Sequence, residues 1–161
     1  MDKKGDIVEN KSQALNVLNF RKLSEKACPP KRATTGSAGM DLCACIDEDI
    51  TLMPNKRVLI PCGVAIELPS SEYGAFIFAR SGLAIKHGIA LSNGVGVIDS
   101  DYRGEVCVGL YNSGEKEYTI KPGERVAQMV IMKVENFPIC EVEKLDDTQR
   151  GTGGFGSTGK L

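Results

Sequence analysis

The chain has 161 residues, 42% hydrophobic and 25% charged, with 20 Lys and Arg against 21 Asp and Glu. This is the length and composition of one globular domain with its own core, which excludes a disordered chain. A formal charge of −1 excludes a polybasic nucleic-acid coat or membrane patch, but leaves room for a local basic pocket. Glycine is in excess, at 18 residues against an average usage of roughly 7%.

Residues 1–21 form an N-terminal extension with charges throughout and no continuous apolar core. It does not read as a secretory signal, and its early acidic residues argue against a mitochondrial transit peptide. No run reaches the ~18 apolar residues of a membrane span. A short strand is expected around Val17 to Leu23. Pro29, Pro30 and the run KRATTGSAG then lead irregularly into a domain spanning residues 22–145.

From Met40 the pattern becomes short β-like runs: MDLCAC, KRVLIPCGVAIEL, GAFIFA, EVCVGLYN, EYTI and RVAQMVIMKV. Turn residues break them at MPN, PSSE, NSGE and KPGE. Only RSGLAIKHG suits a helix, and Gly82 and Gly88 limit it to a turn or two. Strands do not alternate with long helices, which excludes a doubly wound α/β sheet and points to an all-β barrel or sandwich. From Asp146 the apolar rhythm stops, and RGTGGFGSTG carries five glycines around one aromatic. Residues 146–161 therefore read as a flexible glycine-rich C-terminal arm, either a linker-like tail or a lid that orders on a ligand.

The six cysteines, Cys28, Cys43, Cys45, Cys62, Cys107 and Cys140, lack the CxxC metal spacing and read as free thiols. His87 is the only histidine, so a His-rich zinc site is excluded.

Phosphates are held by backbone N–H groups, hydroxyls and Arg or Lys at close range. Three places combine these: Arg80-Ser81-Gly82 after an apolar run, Gly123 to Gln128, and Arg150 with Gly151, Ser157 and Thr158. Each also has a plain structural reading, with Arg80 as an ion-pair residue and Ser81 as a helix cap. None is a Walker A loop. The densest cluster is NGVGVIDSDYRGE. Asp99 follows an apolar run, at the rim of a core, where a carboxylate can act as a base toward water. Asn93 offers a donor and an acceptor, and Gly94 and Gly96 allow close backbone approach to a planar ring. The same residues also suit a polar turn between strands. Phe155, isolated among glycines, suits a flap that stacks on a ring.

Taken together, AGMDL at 38–42, RSG at 80–82, NGVGVIDSDYRGE at 93–105, GERVAQ at 123–128 and RGTGGFGSTG at 150–159 closely resemble the five motifs of the trimeric dUTPase family. The resemblance implies a jelly-roll-like β-clip barrel and a homotrimer with active sites shared between subunits. Each arm would close over a neighbour's site. It also implies hydrolysis of dUTP to dUMP and pyrophosphate, which limits uracil in DNA and supplies dUMP for thymidylate synthesis.

By the same resemblance, Asp99 is the general base that activates water, and Tyr102 stacks on deoxyribose and excludes a 2′-hydroxyl. Asn93, Gly94, Val97 and Ile98 belong to the hairpin that reads uracil. Arg80, Ser81, Gly82 and Gln128 hold phosphates or order the water around them. Asp41 meets a magnesium ion (Mg2+) through water, the metal being held mainly by substrate phosphates. Arg150 meets the outer phosphates, Phe155 covers uracil, and Gly156, Ser157 and Thr158 supply donors. Cytoplasmic or nuclear residence is expected, with no secretion, no membrane partner and no direct nucleic-acid contact. Two alternatives stand beside this reading. One is a deoxycytidine triphosphate deaminase, separable by its product from dCTP; the other is a non-enzymatic β module that binds partners through the arm.

Overall fold

The computed structural model describes residues 17–154. Eleven strands and one helix follow in order among them: β1 (Asn19–Lys22), β2 (Met40–Cys43), β3 (Ile50–Leu52), β4 (Arg57–Pro61), β5 (Val64–Glu67), β6 (Tyr73–Ala79), α1 (Ser81–His87), β7 (Ile89–Leu91), β8 (Gly96–Ile98), β9 (Cys107–Asn112), β10 (Tyr118–Ile120) and β11 (Arg125–Lys133). All pairings between these strands are antiparallel. They form a four-stranded sheet β2-β11-β6-β8, a three-stranded sheet β4-β9-β7, and the pairs β1-β5 and β10-β3.

Alternation explains the strands. Along β9 every second residue, Val108, Leu110 and Asn112, is buried, as a sheet with one face on the core requires. In β5 three consecutive residues, Val64 to Ile66, are buried, so this strand is covered on both faces. Burying a Val, Leu or Ile side chain in this way contributes roughly 1.5–3 kcal/mol. The run KRVLIPCGVAIEL is two strands rather than one, because the chain turns at Gly63, whose φ of 67° favours glycine.

The expected short helix is present as α1, and it stops at Gly88 in the left-handed conformation, φ 70°. Ser81 does not cap it: Arg80 holds the N-cap position and Ser81 is the first helical residue. Four strands have only three residues each, β3, β7, β8 and β10; of these only β10 falls in an expected run, EYTI. The strand expected around Val17 to Leu23 is β1, paired with β5.

Two irregularities interrupt the regular pairing. Asn112 is fully buried, and its side chain donates to the Leu52 and Lys116 carbonyls at 2.9 and 2.8 Å and accepts from the Gly114 amide at 2.9 Å. It thereby ties β3 to the turn after β9. In β11 a bulge lies between Arg125 and Ala127: Arg125 faces Cys43 and Ala127 faces Leu42 on β2.

Candidate active site

One group of polar residues gathers on β2, the end of β6 and the start of β11. Gln128 lies opposite Asp41 and Arg125 opposite Cys43. Asp41 and Cys43 are two apart and so share a face of β2. The bulge therefore places Arg125 and Gln128, three apart, on that same face; a regular strand would put them on opposite faces.

The Asp41 carboxylate receives two arginines, with Oδ1 at 3.3 Å from Arg80 Nε and Oδ2 at 3.1 Å from Arg125 Nη1. Arg80 Nη1 also donates to the Arg125 carbonyl at 2.9 Å. The Asp41 and Arg80 side chains are 19% and 28% exposed, so this pair is less screened than a surface pair, while Arg125 is more open to solvent. Gln128 Nε2 donates to the Ala79 carbonyl at 3.0 Å. Its carboxamide lies against Gly39, where a Cβ would come within 2.7 Å of Gln128 Oε1. Ser81 and Gly82 open α1 beside this group and are exposed.

Two arginines beside one carboxylate leave two positive charges against one negative, which suits an anion. Asp41 meets a cation poorly by direct contact, since each oxygen already faces a guanidinium. Its remaining lone pairs can take water. Among the described residues no group of three or more His, Cys, Asp and Glu could hold a metal ion. The pKa of the nearby Cys43 thiol is pushed up to about 11, by burial first and then by Cys28 and Asp41.

The second group lies on the β7–β8 connection and the loop after β8. Gly94 has φ 75° with open space around it, which gives the turn its shape. Asn93, Gly94 and Val97 are exposed while Ile98 is buried. β8 is the edge of its sheet, and an edge presents backbone donors and acceptors outward. Asp99 follows the buried Ile98 and is exposed, at the rim of the core as expected. Asp99, Tyr102, Glu105 and Val97 line one open cavity.

The two groups do not meet within one chain. Ile98 lies opposite Ala75, so Asp99 is level with Gly74, whereas Arg80 follows the far end of β6. The rise of a strand puts about 20 Å between them along that direction. Arg150 is held in its own turn, with Nε donating to the Gly153 carbonyl at 2.8 Å. Phe155, Gly156, Ser157 and Thr158 lie outside the described residues.

Arg125 and Glu105 lie inside the motif segments at 123–128 and 93–105 but do not stand out there in sequence. The signal available for Arg125 was a charged residue just before a buried run.

The chain is similar to known proteins in both sequence and fold. The dUTPase family profile matches residues 25–159. The deoxyuridine 5′-triphosphate nucleotidohydrolase of Desulfitobacterium hafniense strain DSM 10664 / DCB-2 is 55% identical over 130 residues, covering 81% of this chain and 86% of that protein. That of Neisseria gonorrhoeae strain NCCP11945 is 52% identical over 130 residues, covering 81% and 87%. The solved structure of the Staphylococcus bacteriophage 80alpha dUTPase with dUPNHPP superposes with a TM-score of 0.81 at 26% identity, over 91% of this chain and all of that one. With the family profile, the sequence identity and the fold in agreement, the chain belongs to the dUTPase family, enzymes that hydrolyse dUTP to dUMP and pyrophosphate.

Proposed function

We propose that this chain hydrolyses dUTP at sites shared between copies of itself, with Asp99 of one copy facing the Asp41, Arg80, Arg125 and Gln128 group of another. The observation that carries this reading is the separation along β6. A base and the groups that hold the phosphates must act within about 3 Å of their targets. The span of about 20 Å between Asp99 and Arg80 within a chain is too long for that. A second observation favours association: in the segment after β11, Phe137, Ile139, Val142 and Leu145 are exposed, Ile139 completely. So many bare apolar side chains in one segment mark a surface that another chain covers. A homotrimer of jelly-roll-like β-clip barrels is the assembly proposed, with the 146–161 arm of one copy reaching a neighbour's site.

In this reading the Asp99 carboxylate takes a proton from water. The water oxygen bonds to the α-phosphorus as the bond to the bridging oxygen breaks. The electron pair leaves with pyrophosphate, and dUMP remains. Arg80, Ser81, Gly82 and Gln128 grip the triphosphate and its water, with Arg150 on the outer phosphates. The substrate carries roughly four negative charges, so screening them lowers the repulsion felt by the incoming nucleophile. An Mg2+ ion, when bound, adds charge neutralisation at the phosphates, and Asp41 meets it through water. The exposed edge of β8, with Asn93 and Gly94, reads uracil by backbone and amide hydrogen bonds, while Val97 and Ile98 shape the floor. Tyr102 faces the deoxyribose. Phe155 with Gly156, Ser157 and Thr158 closes over the base and phosphates, excluding bulk water. Cytoplasmic or nuclear residence follows from acting on a nucleotide pool. The helices of the described residues are neither long nor apolar enough to cross a membrane.

The test is complementation. Arg80→Ala and Asp99→Asn are each expected to be nearly inactive alone. Co-refolded at equal amounts, they re-form sites with Asp99 from one copy and Arg80 from the next, and about a quarter of the sites should be intact by random assembly of a ring. No recovery of pyrophosphate release in the mixture would show that the two residues serve one chain.

A further inference from the structure

Tyr102 is 46% exposed, so packing alone does not fix its ring. Two features of its own loop do. The hydroxyl donates to the Glu105 carbonyl at 3.1 Å. Gly104 makes room for this fold-back, since a Cβ there would collide with the tyrosine oxygen. The tyrosine is therefore held only as firmly as the Glu105 backbone.

Glu105 has an anchor of its own, forty-two positions away in the chain. Its Oε1 accepts the Gly63 amide at 2.7 Å, in a part-buried position. Gly63 is the turn between β4 and β5, and it cannot shift easily. Its φ is 67°, a Cβ on it would lie 2.5 Å from Cys45 Sγ, and its carbonyl accepts the Leu23 amide at 2.8 Å. Backbone bonds flank the contact, from Cys62 to Val106 at 3.0 Å and from Val106 to Val64 at 2.8 Å. They seat Val106, and the carboxylate extends that grip by one residue, to the carbonyl that Tyr102 uses. A charged acceptor on an amide is stronger than a neutral one.

We propose that Glu105 is a positioning residue for sugar selection: its carboxylate, bound to the Gly63 amide, fixes the carbonyl that holds the Tyr102 hydroxyl. The inference rests on the reading that Tyr102 faces the deoxyribose and excludes a 2′-hydroxyl. Arg103 supports the same loop from outside, donating to the Ser100 and Tyr102 carbonyls at 2.8 and 3.0 Å. It is exposed and its pair with Glu67 is 3.4 Å long, so it is the weaker support.

The test measures kcat/KM for dUTP and for UTP with the full chain and compares their ratio. Tyr102→Ala checks the underlying reading and should collapse the ratio. Tyr102→Phe removes only the hydroxyl, and Glu105→Met keeps the side-chain volume while removing the acceptor, which guards against an unfolded Glu105→Ala. Each should lower the ratio by about fivefold, the effect of one hydrogen bond. The double variant should fall no further than either single, because both break one chain of contacts. Glu105→Gln should stay within about twofold of the parent, since its carbonyl accepts the same amide.

Several results would overturn the proposal: an unchanged ratio in Glu105→Met, additive losses in the double variant, or Gln as damaging as Met. A drop in kcat for Glu105→Gln at an unchanged ratio would place the carboxylate in the chemistry instead. If Tyr102→Ala itself keeps the ratio, the sugar reading fails; if it collapses the ratio and Glu105→Met does not, only the role of Glu105 fails.

Discussion

The Tyr102 amide donates to the Asp99 carbonyl at 3.2 Å, so backbone closes the turn after β8 and leaves the Asp99 carboxylate out of the turn's own bonding. The proposed base is thereby separable from the structure that carries it, and its role can be tested without disturbing the loop.

Asp99→Asn should fold as the parent does and bind dUTP, yet lose about 10²- to 10⁴-fold in kcat, the usual range for a positioned base. Pyrophosphate release gives the rate, and calorimetry with a non-hydrolysable analogue gives the binding. A parent-like kcat would remove Asp99 from the role.

Deleting residues 150–161 should lower kcat/KM by about 100-fold or more, because the outer-phosphate arginine and the closing segment are both lost. The oligomeric state in solution should not change, since the core elements end at Lys133. Light scattering and pyrophosphate release check the two halves. Full activity without the arm would refute its closing role.

Asn112→Ala should destabilise the fold by about 2 kcal/mol, because it leaves the buried Leu52 carbonyl and the part-buried Lys116 carbonyl and Gly114 amide without their partner. Urea denaturation at fixed protein concentration would show it as a lower midpoint. The site lies elsewhere, so kcat in native buffer should hold. An unchanged midpoint would mean that the cluster relaxes or admits water.

Most strands showed themselves in sequence, the longer ones most plainly. GAFIFA, EVCVGLYN and RVAQMVIMKV became β6, β9 and β11, because β-branched and aromatic residues over five or more positions leave a readable pattern. β3, β7 and β8, at three residues each, exist by pairing with distant partners; of the three-residue strands only β10 fell in a run that sequence offered, EYTI. Asn112 was hidden for a related reason: at the end of an apolar run, an asparagine reads as a turn residue, and only its partners show that it is buried. Glu105 was equally silent, since its acceptor role depends on a glycine amide far away in the chain.

Residue identity alone set the inventory: an all-β chain, five motifs in order, and a carboxylate at the rim of a core. These are read from local sequence and, for the five motifs, from their resemblance to one family, and neither needs a third dimension. How the inventory is divided came from the folded chain. The bulge in β11 put Arg125 and Gln128 on one face with Asp41, against the alternation that spacing alone would impose. Strand register put Asp99 and Arg80 at opposite ends of β6, so that neither end has a complete set of groups. Register is set by long-range pairing and burial, and linear spacing does not encode it.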